Sequence, residues 1–390
     1  MIVLVIPLQY ACGHHPQVNP AYIEKNVKTI SINTMAPRSM DLDQLFEIKK
    51  LIRLATNDSI IIGRIDKISC SQNKLYVLDG KTNYIDVFDT SGQFLFKIGA
   101  IGKGNNEYFR IADFEIDTTS RLIYLLDDFS RKMILFSASD GHPLRERRLF
   151  NFTVNKFMLK NEGPEQHLVY SRGGTAESAD MWYNMLIADS ANDVLSTFLP
   201  YQSTATFVMS PEHPLQTTGN TISYLPPFST TIFELNELDT LSPAYRLHFT
   251  GASDDYKKMQ DELRANQLRT VGDFLHYLNK NNYIQFLNYL ETDSLLYIYF
   301  TTARQGHEFL LFRKATDTGL LVSTIRNNFL NFSGQPVATL RDQFVDILQP
   351  DSFLDKLKLR PLLPPQYQSL LDNFSSKDNP ILVMLKVKNF

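Results

Sequence analysis

Short apolar runs alternate with short polar turns along most of the chain. The clearest stretch is KLYVLDGKTNYIDVFDTSGQFLFKI at residues 74–98, where the turns GKTN and TSG separate three such runs. Apolar residues at every second position indicate half-buried β-strands, and turns of this length join antiparallel neighbours. Residues 65–71, IDKISCS, add a similar strand in front. The pattern therefore predicts a four-stranded antiparallel unit.

A looser copy of this unit begins at Arg121 with RLIYLLDDFSRKMILFSASDG. The two copies share residue types at equivalent positions, in the pairs Tyr76 and Tyr124, Asp79 and Asp127, Phe88 and Phe136, and Gly92 and Gly141. Fainter units run over residues 153–199, then to residue 249 and then to residue 325. Four-stranded units that recur about every 40–50 residues are typical of a β-propeller.

Two stretches interrupt the strand pattern. In residues 253–280, apolar side chains recur at helical spacing, and Ser253 fits an N-cap with two acidic residues behind it. In residues 336–376, the segment PVATLRDQFVDIL has the same spacing, and a further short helix is expected around Tyr367. We predict that both stretches are helical insertions whose apolar faces pack on the propeller rather than on a partner.

The length of the chain sets the number of units. Without the N-terminal 25 residues and the two insertions, roughly 290 of the 390 residues remain, which corresponds to about six units. Strand-like segments stand near both ends, VKTISIN at residues 27–33 and NPILVMLKVKNF at residues 379–390. One blade built from both segments would close the ring and remove its exposed sheet edges. The prediction is an all-β fold, a single six-bladed β-propeller over residues 26–390, closed by N- and C-terminal strands.

Composition excludes several classes of partner and fold. The net charge is −3, from 39 basic and 42 acidic residues, and no long basic run occurs, so we expect no nucleic-acid partner. The two cysteines, Cys12 and Cys70, are too few for a disulfide-rich scaffold or a cysteine-based zinc site. No later segment approaches the roughly 18 apolar residues that cross a bilayer. We therefore expect that the protein meets a membrane only through a lipid. We also expect it to be a monomer.

A glycine-rich loop, IGAIGKGNNEYF at residues 98–109, joins the first two units. A nucleotide-binding glycine loop leaves a strand and opens a helix, whose N-terminus binds phosphate. This loop instead leads from strand to strand, and no Lys-Ser or Lys-Thr pair follows its last glycine. We therefore interpret its glycines as residues that permit positive φ where the chain passes from one blade to the next.

The same loop carries a resemblance to a known family. A glycine-rich stretch leads through a Glu-Tyr pair to a strand that ends in aspartate, with Gly99, Gly102, Gly104, Glu107, Tyr108 and Asp117 in these places. This arrangement resembles the linker of NHL-type repeats, and most of the chain resembles the bacterial six-bladed β-propeller lipoproteins. The resemblance implies a lipidated N-terminus and a strand at the very end of the chain.

The N-terminal residues bear on that resemblance. The apolar run MIVLVIPLQY is followed by Ala11, Cys12 and Gly13, as at the end of a bacterial lipoprotein signal, where the cysteine is acylated. Residues 1–25 are then a truncated signal and tether, with Cys12 as the lipid attachment site. The protein would lie in the bacterial cell envelope, on the periplasmic side or the outer surface. Because no Lys or Arg precedes the apolar run, an unprocessed Cys12 and an intracellular scaffold stay open as the alternative.

The sequence does not point to a particular reaction. It contains neither HExxH nor GxSxG, and its carboxylates show no spacing typical of a general acid and base. We therefore expect a non-enzymatic binding or scaffold module, whose partner is an envelope protein or a small-molecule or glycan ligand. A rigid ring of blades that carries variable loops suits such a role.

Three polar residues are candidates for a site at the mouth of the central channel. Asp66 and Asp113 stand at equivalent positions of the first two units, where a channel-lining strand begins, and Asn288 stands near the corresponding position of the fifth unit. One interpretation is that they cap turns by accepting backbone N–H groups. The other follows from lactonase-like propellers, which hold calcium in the channel, and makes the chain a calcium-dependent hydrolase or lyase. Because calcium takes six to eight oxygen ligands, this alternative requires carboxylates from at least three blades to converge.

Overall fold

The structure, a computed structural model, consists of six β-sheets that stand as blades around a central axis. Each blade has four antiparallel strands, and three of the blades carry a fifth strand on one edge. The predicted all-β, six-bladed propeller is thereby confirmed. The described residues are 17–18, 27–58, 60–149, 154–162, 165–171, 182–201, 210–266, 270–303, 306–326, 332, 334–350, 363, 365–369 and 374–390.

The N-terminal part of the chain precedes the first blade. Within the described residues it comprises β1 (Gln17–Val18), β2 (Lys28–Asn33), β3 (Arg38–Asp41), α1 (Leu42–Leu45) and β4 (Phe46–Arg53). Each of its four strands joins a blade that is formed later in the chain.

Blades 1 to 3 follow in chain order, each with its first strand innermost. Blade 1 consists of β5 (Ile65–Ser71), β6 (Lys74–Asp79), β7 (Tyr84–Asp89) and β8 (Phe94–Ile98). Blade 2 consists of β9 (Asp113–Asp117), β10 (Leu122–Asp127), β11 (Lys132–Ser137) and β12 (Pro143–Arg148). Blade 3 consists of β13 (Lys156–Glu162), β14 (Glu165–Ser171), β15 (Trp182–Ala188) and β16 (Val194–Tyr201).

Blades 4 and 5 have the same strand order, and two helices lie between them in the chain. Blade 4 consists of β17 (Leu215–Thr218), β18 (Thr221–Tyr224), β19 (Thr231–Leu235) and β20 (Leu241–Thr250). The helices are α2 (Tyr256–Asn266) and α3 (Val271–Lys280). Blade 5 consists of β21 (Gln285–Glu291), β22 (Leu295–Thr302), β23 (Gly306–Arg313) and β24 (Thr318–Arg326).

Blade 6 takes strands from both ends of the chain. Its strands are, in order, β25 (Ala338–Leu340), β26 (Gln343–Leu348), β27 (Ile381–Val387) and β4, with the short helix α4 (Pro365–Gln368) between β26 and β27. β27 pairs antiparallel with β4, so that Ile381 faces Arg53 and Val387 faces Phe46. The ring is thus closed by an N-terminal and a C-terminal strand, as predicted.

The N-terminal partner in this closure is not the segment expected from the sequence. Residues 27–33 contain β2, which lies parallel to β20 on the outer edge of blade 4, with Ile30 opposite Leu247. β4 closes blade 6 because its consecutive apolar residues serve two different cores. Leu51 packs between blades 5 and 6, and Ile52 packs between blades 6 and 1.

The three strands β1, β2 and β3 together form what we call the N-terminal strap. Its strands lie parallel to the outermost strands of blades 3, 4 and 5, respectively. An uncovered outer strand would present a row of unpaired N–H and C=O groups to other chains. The strap covers that edge in three consecutive blades.

The hydrophobic core is divided among the gaps between neighbouring blades. Each of the six gaps holds one cluster of buried apolar side chains. Because successive residues of a strand point to opposite faces, every blade contributes to the gap on each side of it. The helical insertion adds Met259, Phe274 and Leu278 to the gap between blades 4 and 5. No helix in the described residues is long and apolar enough to span a membrane.

The two predicted helical insertions have different outcomes. Residues 253–280 contain α2 and α3, although Asp255, not Ser253, accepts the N–H of Lys258 in the first turn of α2. Within residues 336–376, the expected helix around Leu340 is wrong, because the segment forms β25, a turn and β26. Its apolar residues fit either a helical face or two short strands around a turn, and the positive φ of 57° at Arg341 makes the tight turn.

The repeated aspartates at the ends of β6 and β10 have a structural role. Asp79 accepts hydrogen bonds of 2.9 Å from the N–H groups of Gly63 and Arg64, in the loop that enters blade 1. Asp127 likewise accepts a hydrogen bond of 2.8 Å from the N–H of Phe109, in the loop that enters blade 2. Burial would raise the pKa of Asp79, but these hydrogen bonds and others lower it. Each carboxylate therefore ties the second strand of its blade to the entering loop.

Candidate functional site

The first strands of the six blades surround the central channel. Residues from all six of these strands line a narrow cavity of about 240 Å³ along the axis. Its lining is largely polar, and the charged residues in it are Lys67, Asp113, Glu115, Lys156 and Glu212. His213, at the start of blade 4, also faces this cavity.

Lys67 organises the charged groups of the channel. Its Nζ donates to Asp113 over 2.8 Å, to Glu115 over 2.6 Å and to the carbonyl oxygen of Phe114 over 2.7 Å. Burial would lower the pKa of Lys67, but the two carboxylates outweigh this effect and raise it. Lys67 is therefore a partly buried cation that is bound by two carboxylates of the neighbouring blade.

The two carboxylates respond differently to this shared partner. Burial would raise the pKa of Asp113, but the charges of Lys67 and Lys156 lower it. For Glu115, burial dominates over Lys67 and raises the pKa. Asp113 also accepts the N–H of Phe157 over 3.1 Å. It therefore joins blade 2 to blade 1 through Lys67 and to blade 3 through Phe157.

His213 shares this environment as an uncharged group. Burial, followed by the positive charges of Lys156 and Lys67, lowers the pKa of His213 to about 4. Lys156 donates its Nζ proton to the carbonyl oxygen of Ala112 over 3.2 Å. Among the described residues, the channel thus contains two ammonium groups, three carboxylates and one neutral imidazole.

The described channel residues do not fit a calcium ion. Asp113 and Glu115 both come from β9, and the Nζ of Lys67 lies between them where a metal cation would have to sit. Within the described ranges, no three His, Cys, Asp or Glu side chains lie close enough together to hold a metal. Convergence of carboxylates from three blades is therefore not met there.

Asp66 and Asp113 do not occupy equivalent places in the structure. A β-bulge in β5 makes Asp66 an extra residue, so that Lys67 faces Leu78 in the way that Asp113 faces Leu126. Asp66 instead binds the guanidinium of Arg64, with contacts of 2.6 and 2.8 Å. The residue of blade 1 that corresponds to Asp113 is thus Lys67, the residue with which it pairs.

A larger cavity lies on the face of the propeller where the first strands begin, which we call the entry face. This entry-face cavity has a volume of about 680 Å³ and is formed by blades 4, 5 and 6 together with α2 and α3. Five aromatic rings line it, those of Phe228, Tyr256, Phe274, Phe286 and Tyr299. Its main polar side chains are those of Glu212, Ser229, Asn288, Thr301, His307 and Gln335. Glu212 also lines the channel, so the two cavities meet at this residue.

Asn288, the third candidate from the sequence, lies in the entry-face cavity and holds two of its walls. Its Oδ1 accepts the backbone N–H of Glu212 from blade 4. Its Nδ2 donates to the carbonyl oxygen of Phe286 over 3.3 Å. From blade 6, Gln335 donates its Nε2 proton to Glu212 Oε2 over 3.1 Å. Asn288 therefore positions groups of the site and does not join Asp66 or Asp113.

Phe286 is held in an unusual backbone conformation. It lies in a β-bulge of β21 with a φ of +48°, and the residue is 53% exposed. Such a φ costs a non-glycine residue on the order of 1–3 kcal/mol, and such residues are concentrated at binding and catalytic sites. The bulge places an aromatic ring at the rim of the cavity, where it is available to a ligand.

Tyr299 and His307 form a pair at the polar end of the cavity. The Tyr299 hydroxyl is hydrogen-bonded to Nδ1 of His307, and the two rings stack with centroids 5.7 Å apart. Burial, and then the negative charge of Glu212, raise the pKa of Tyr299. Glu212 therefore lies near enough to Tyr299 to act on it electrostatically, and Tyr299 in turn holds His307 by a hydrogen bond.

Sequence reasoning missed most of this cavity. Glu212 stands in the segment PEHP at residues 211–214, where two prolines interrupt the strand pattern beside an acidic residue and a histidine. That segment was a usable signal for a loop that presents polar side chains. The aromatic residues carried no such signal, because aromatic side chains occur throughout the strands of this chain. Cys12 lies outside the described residues.

One family model and two solved structures are similar to this chain. The model of a family described as a domain of unknown function, DUF4934, matches residues 27–386, so the chain belongs to this family. The protein named "Putative exported protein" from Bacteroides fragilis NCTC 9343 is similar in structure, with a TM-score of 0.79 and 21% identity over 93% of this chain and 100% of that chain. A member of the DUF4221 family from Bacteroides vulgatus ATCC 8482 has a TM-score of 0.55 and 10% identity over 88% of this chain and 98% of that chain. No curated protein matches the sequence.

Proposed function

We propose that this member of the DUF4934 family is a non-enzymatic binding protein of the bacterial cell envelope, which holds a small molecule in the entry-face cavity. The cavity itself carries the proposal. Its volume of about 680 Å³ is typical of small-molecule sites, as are its aromatic walls and its few polar groups. Three blades and a helical insertion contribute to one concave site, which suits a small ligand better than a flat protein surface.

The polar groups of the cavity serve recognition rather than a reaction in this proposal. Asn288 and Gln335 fix Glu212 by hydrogen bonds from two different blades. Tyr299 is hydrogen-bonded to His307. Side chains that are held in this way form a preorganised set of hydrogen-bonding groups, which lowers the entropic cost of binding.

Binding can be measured with the neutral, environment-sensitive dye prodan. We expect its fluorescence to rise on addition of the protein, and the Phe286→Ala variant to weaken dye binding because the exposed ring forms the rim of the cavity. Phe129→Ala is the matched control, since Phe129 is 69% exposed but lies on blade 2, outside the cavity. Equal dye binding by wild type and both variants, at unchanged melting temperature, would refute the cavity as the binding site.

The envelope location rests on separate support. Cys12 follows an apolar run and precedes a glycine, and a structurally similar protein bears the name of an exported protein. In bacteria that express the gene, we expect radiolabelled palmitate to enter the protein, globomycin to block its processing, and Cys12→Ser to abolish the label. Undiminished label in the Cys12→Ser variant, or no label in wild type, would contradict the lipid anchor without affecting the cavity.

A further inference from the structure

Among the described residues that line it, the entry-face cavity has one formal charge, which is negative. Glu212 is the single carboxylate among the described residues that line it, and no lysine or arginine is among them. Arg64 lies near enough to interact electrostatically with Glu212, but its guanidinium is already bound by Asp66 through two hydrogen bonds. The negative charge of Glu212 is therefore not neutralised by the described walls of the cavity.

Glu212 is also held in a fixed position. Its backbone N–H donates to Asn288, and its Oε2 accepts from Gln335 over 3.1 Å. A carboxylate offers about four acceptor positions, so Gln335 leaves several for a ligand. Because partners on two blades set this geometry, a donor group of a ligand would meet acceptors that are already in place.

The aromatic rings of the cavity favour the same kind of ligand. The face of an aromatic ring attracts a cation that lies within about 6 Å of its centre. Phe228 and Tyr256 meet edge to face with centroids 6.1 Å apart, and the exposed ring of Phe286 lies at the rim. A ligand with negative charge would be repelled both by these ring faces and by Glu212.

From this geometry we propose that the ligand is an organic cation, an ammonium group on an apolar body. The proposal rests on the function proposed above and names the class of ligand for the same cavity. The ammonium group binds Glu212, and the apolar body packs against Phe274 and Leu275 of α3.

Three compounds that share an indole ring separate the effect of charge from that of shape. At neutral pH tryptamine is a cation, tryptophol is uncharged and indolepropionate is an anion. Their affinities are measured on the full chain by displacement of prodan and by calorimetry. We expect tryptamine to bind about tenfold more tightly than tryptophol, from one charge pair and contact with the rings, and indolepropionate to bind most weakly. Since Glu212 is exposed to solvent, the advantage of tryptamine should shrink between about 0.02 and 0.5 M salt.

The Glu212→Gln variant tests the role of the charge, because glutamine keeps the size of the side chain. We expect tryptamine to lose its advantage in this variant while the affinity for tryptophol stays the same. Glu47→Gln, on the outer edge of blade 6, is the control and should change neither affinity.

The outcomes distinguish this inference from the proposed function. If tryptophol or indolepropionate binds as tightly as tryptamine, or if Glu212→Gln leaves the preference intact, the ligand is not selected by charge and the cation proposal is overturned. The cavity as a binding site then still stands. If Phe286→Ala leaves prodan binding equal to that of wild type and of Phe129→Ala, the cavity is not the binding site and both proposals fall.

Discussion

Replacement of Lys67 by methionine would remove the cation of the channel and keep most of the side-chain volume. The wild-type Nζ lies 2.8 Å from Asp113 and 2.6 Å from Glu115, and the Asp113 side chain is only 3% exposed. Removal of one partner from a buried ion pair costs about 3–5 kcal/mol, since a charge is left without compensation. Because the Lys67 and Glu115 side chains retain 21% and 18% exposure, we expect a loss of about 3 kcal/mol.

The loss of stability in Lys67→Met should be larger at neutral pH than at acid pH, because Asp113 and Glu115 are charged at neutral pH. In wild type, folding lowers the pKa of Asp113. The stability that Asp113 contributes is therefore complete above its ordinary pKa, and it is lost only as the pH falls through the lower pKa of the folded state. Without Lys67, burial would raise the pKa of Asp113 and increase that of Glu115 further. The folded Lys67→Met variant would then bind protons more readily than its unfolded chain, which stabilises the variant as the pH falls. The difference in free energy of unfolding between wild type and variant should therefore become smaller at lower pH.

Urea unfolding followed by circular dichroism at about pH 7.5 and pH 5 measures this difference. Lys49→Met is the control, because Lys49 pairs with Glu47 on the surface and should contribute little at either pH. The double variant Lys67→Met/Asp113→Asn should recover part of the lost stability, since it removes one uncompensated carboxylate. A loss that is the same at both pH values, or no loss at all, would refute the electrostatic account of the channel.

Three further predictions concern the frame around the site. Gly92→Ala should lower the free energy of unfolding by at least about 2 kcal/mol, since φ is +93° and a Cβ would lie 2.1 Å from the Arg53 carbonyl oxygen. The control is Gly219→Ala, where φ is +59° and the space around the residue is open. It should lower the free energy of unfolding by about 1 kcal/mol in the same urea titration. Asp127→Ala should cost about 1–3 kcal/mol, because the N–H of Phe109 loses its acceptor, and faster amide exchange there would show it. Calcium or a chelator should leave the melting temperature unchanged, because Lys67 occupies the place of a metal in the channel; a calcium-dependent rise would contradict this.

The repeat in the sequence contained enough information for the architecture, because each blade is a local unit. Strands such as β6 and β7 are joined by short turns and pair with their neighbours in the chain, so alternation and turn residues predict them directly. The pairing of β4 with β27 is not local, and no periodicity reveals which of the N-terminal strands closes the ring. The strands β25 and β26 were missed for a related reason, since apolar residues on either side of a turn can imitate a helical face.

The candidate site was less predictable than the fold. A single β-bulge at Asp66 shifts the register of β5 and exchanges an aspartate for a lysine at the channel wall. Asn288, which the sequence did indicate, lies in the entry-face cavity. Its pairing with Glu212 could not be predicted, because Glu212 belongs to another blade and is distant in sequence. Contacts of this kind depend on how the blades are arranged around the axis, which the pattern within one blade does not contain.

The way in which the ring closes limits the order of folding events. Blades 1 to 5 are built mainly from hairpins between neighbouring segments, whereas Phe46 finds its partner only when Val387 has been synthesised. Until then β26 lacks its neighbour β27, and the gap between blades 6 and 1 lacks Leu382. The slow step is therefore expected to be the final long-range pairing, since closure of a long loop delays contacts between distant segments. A chain that is carried across a membrane as it is made would complete its propeller only after its last strand has arrived on the far side.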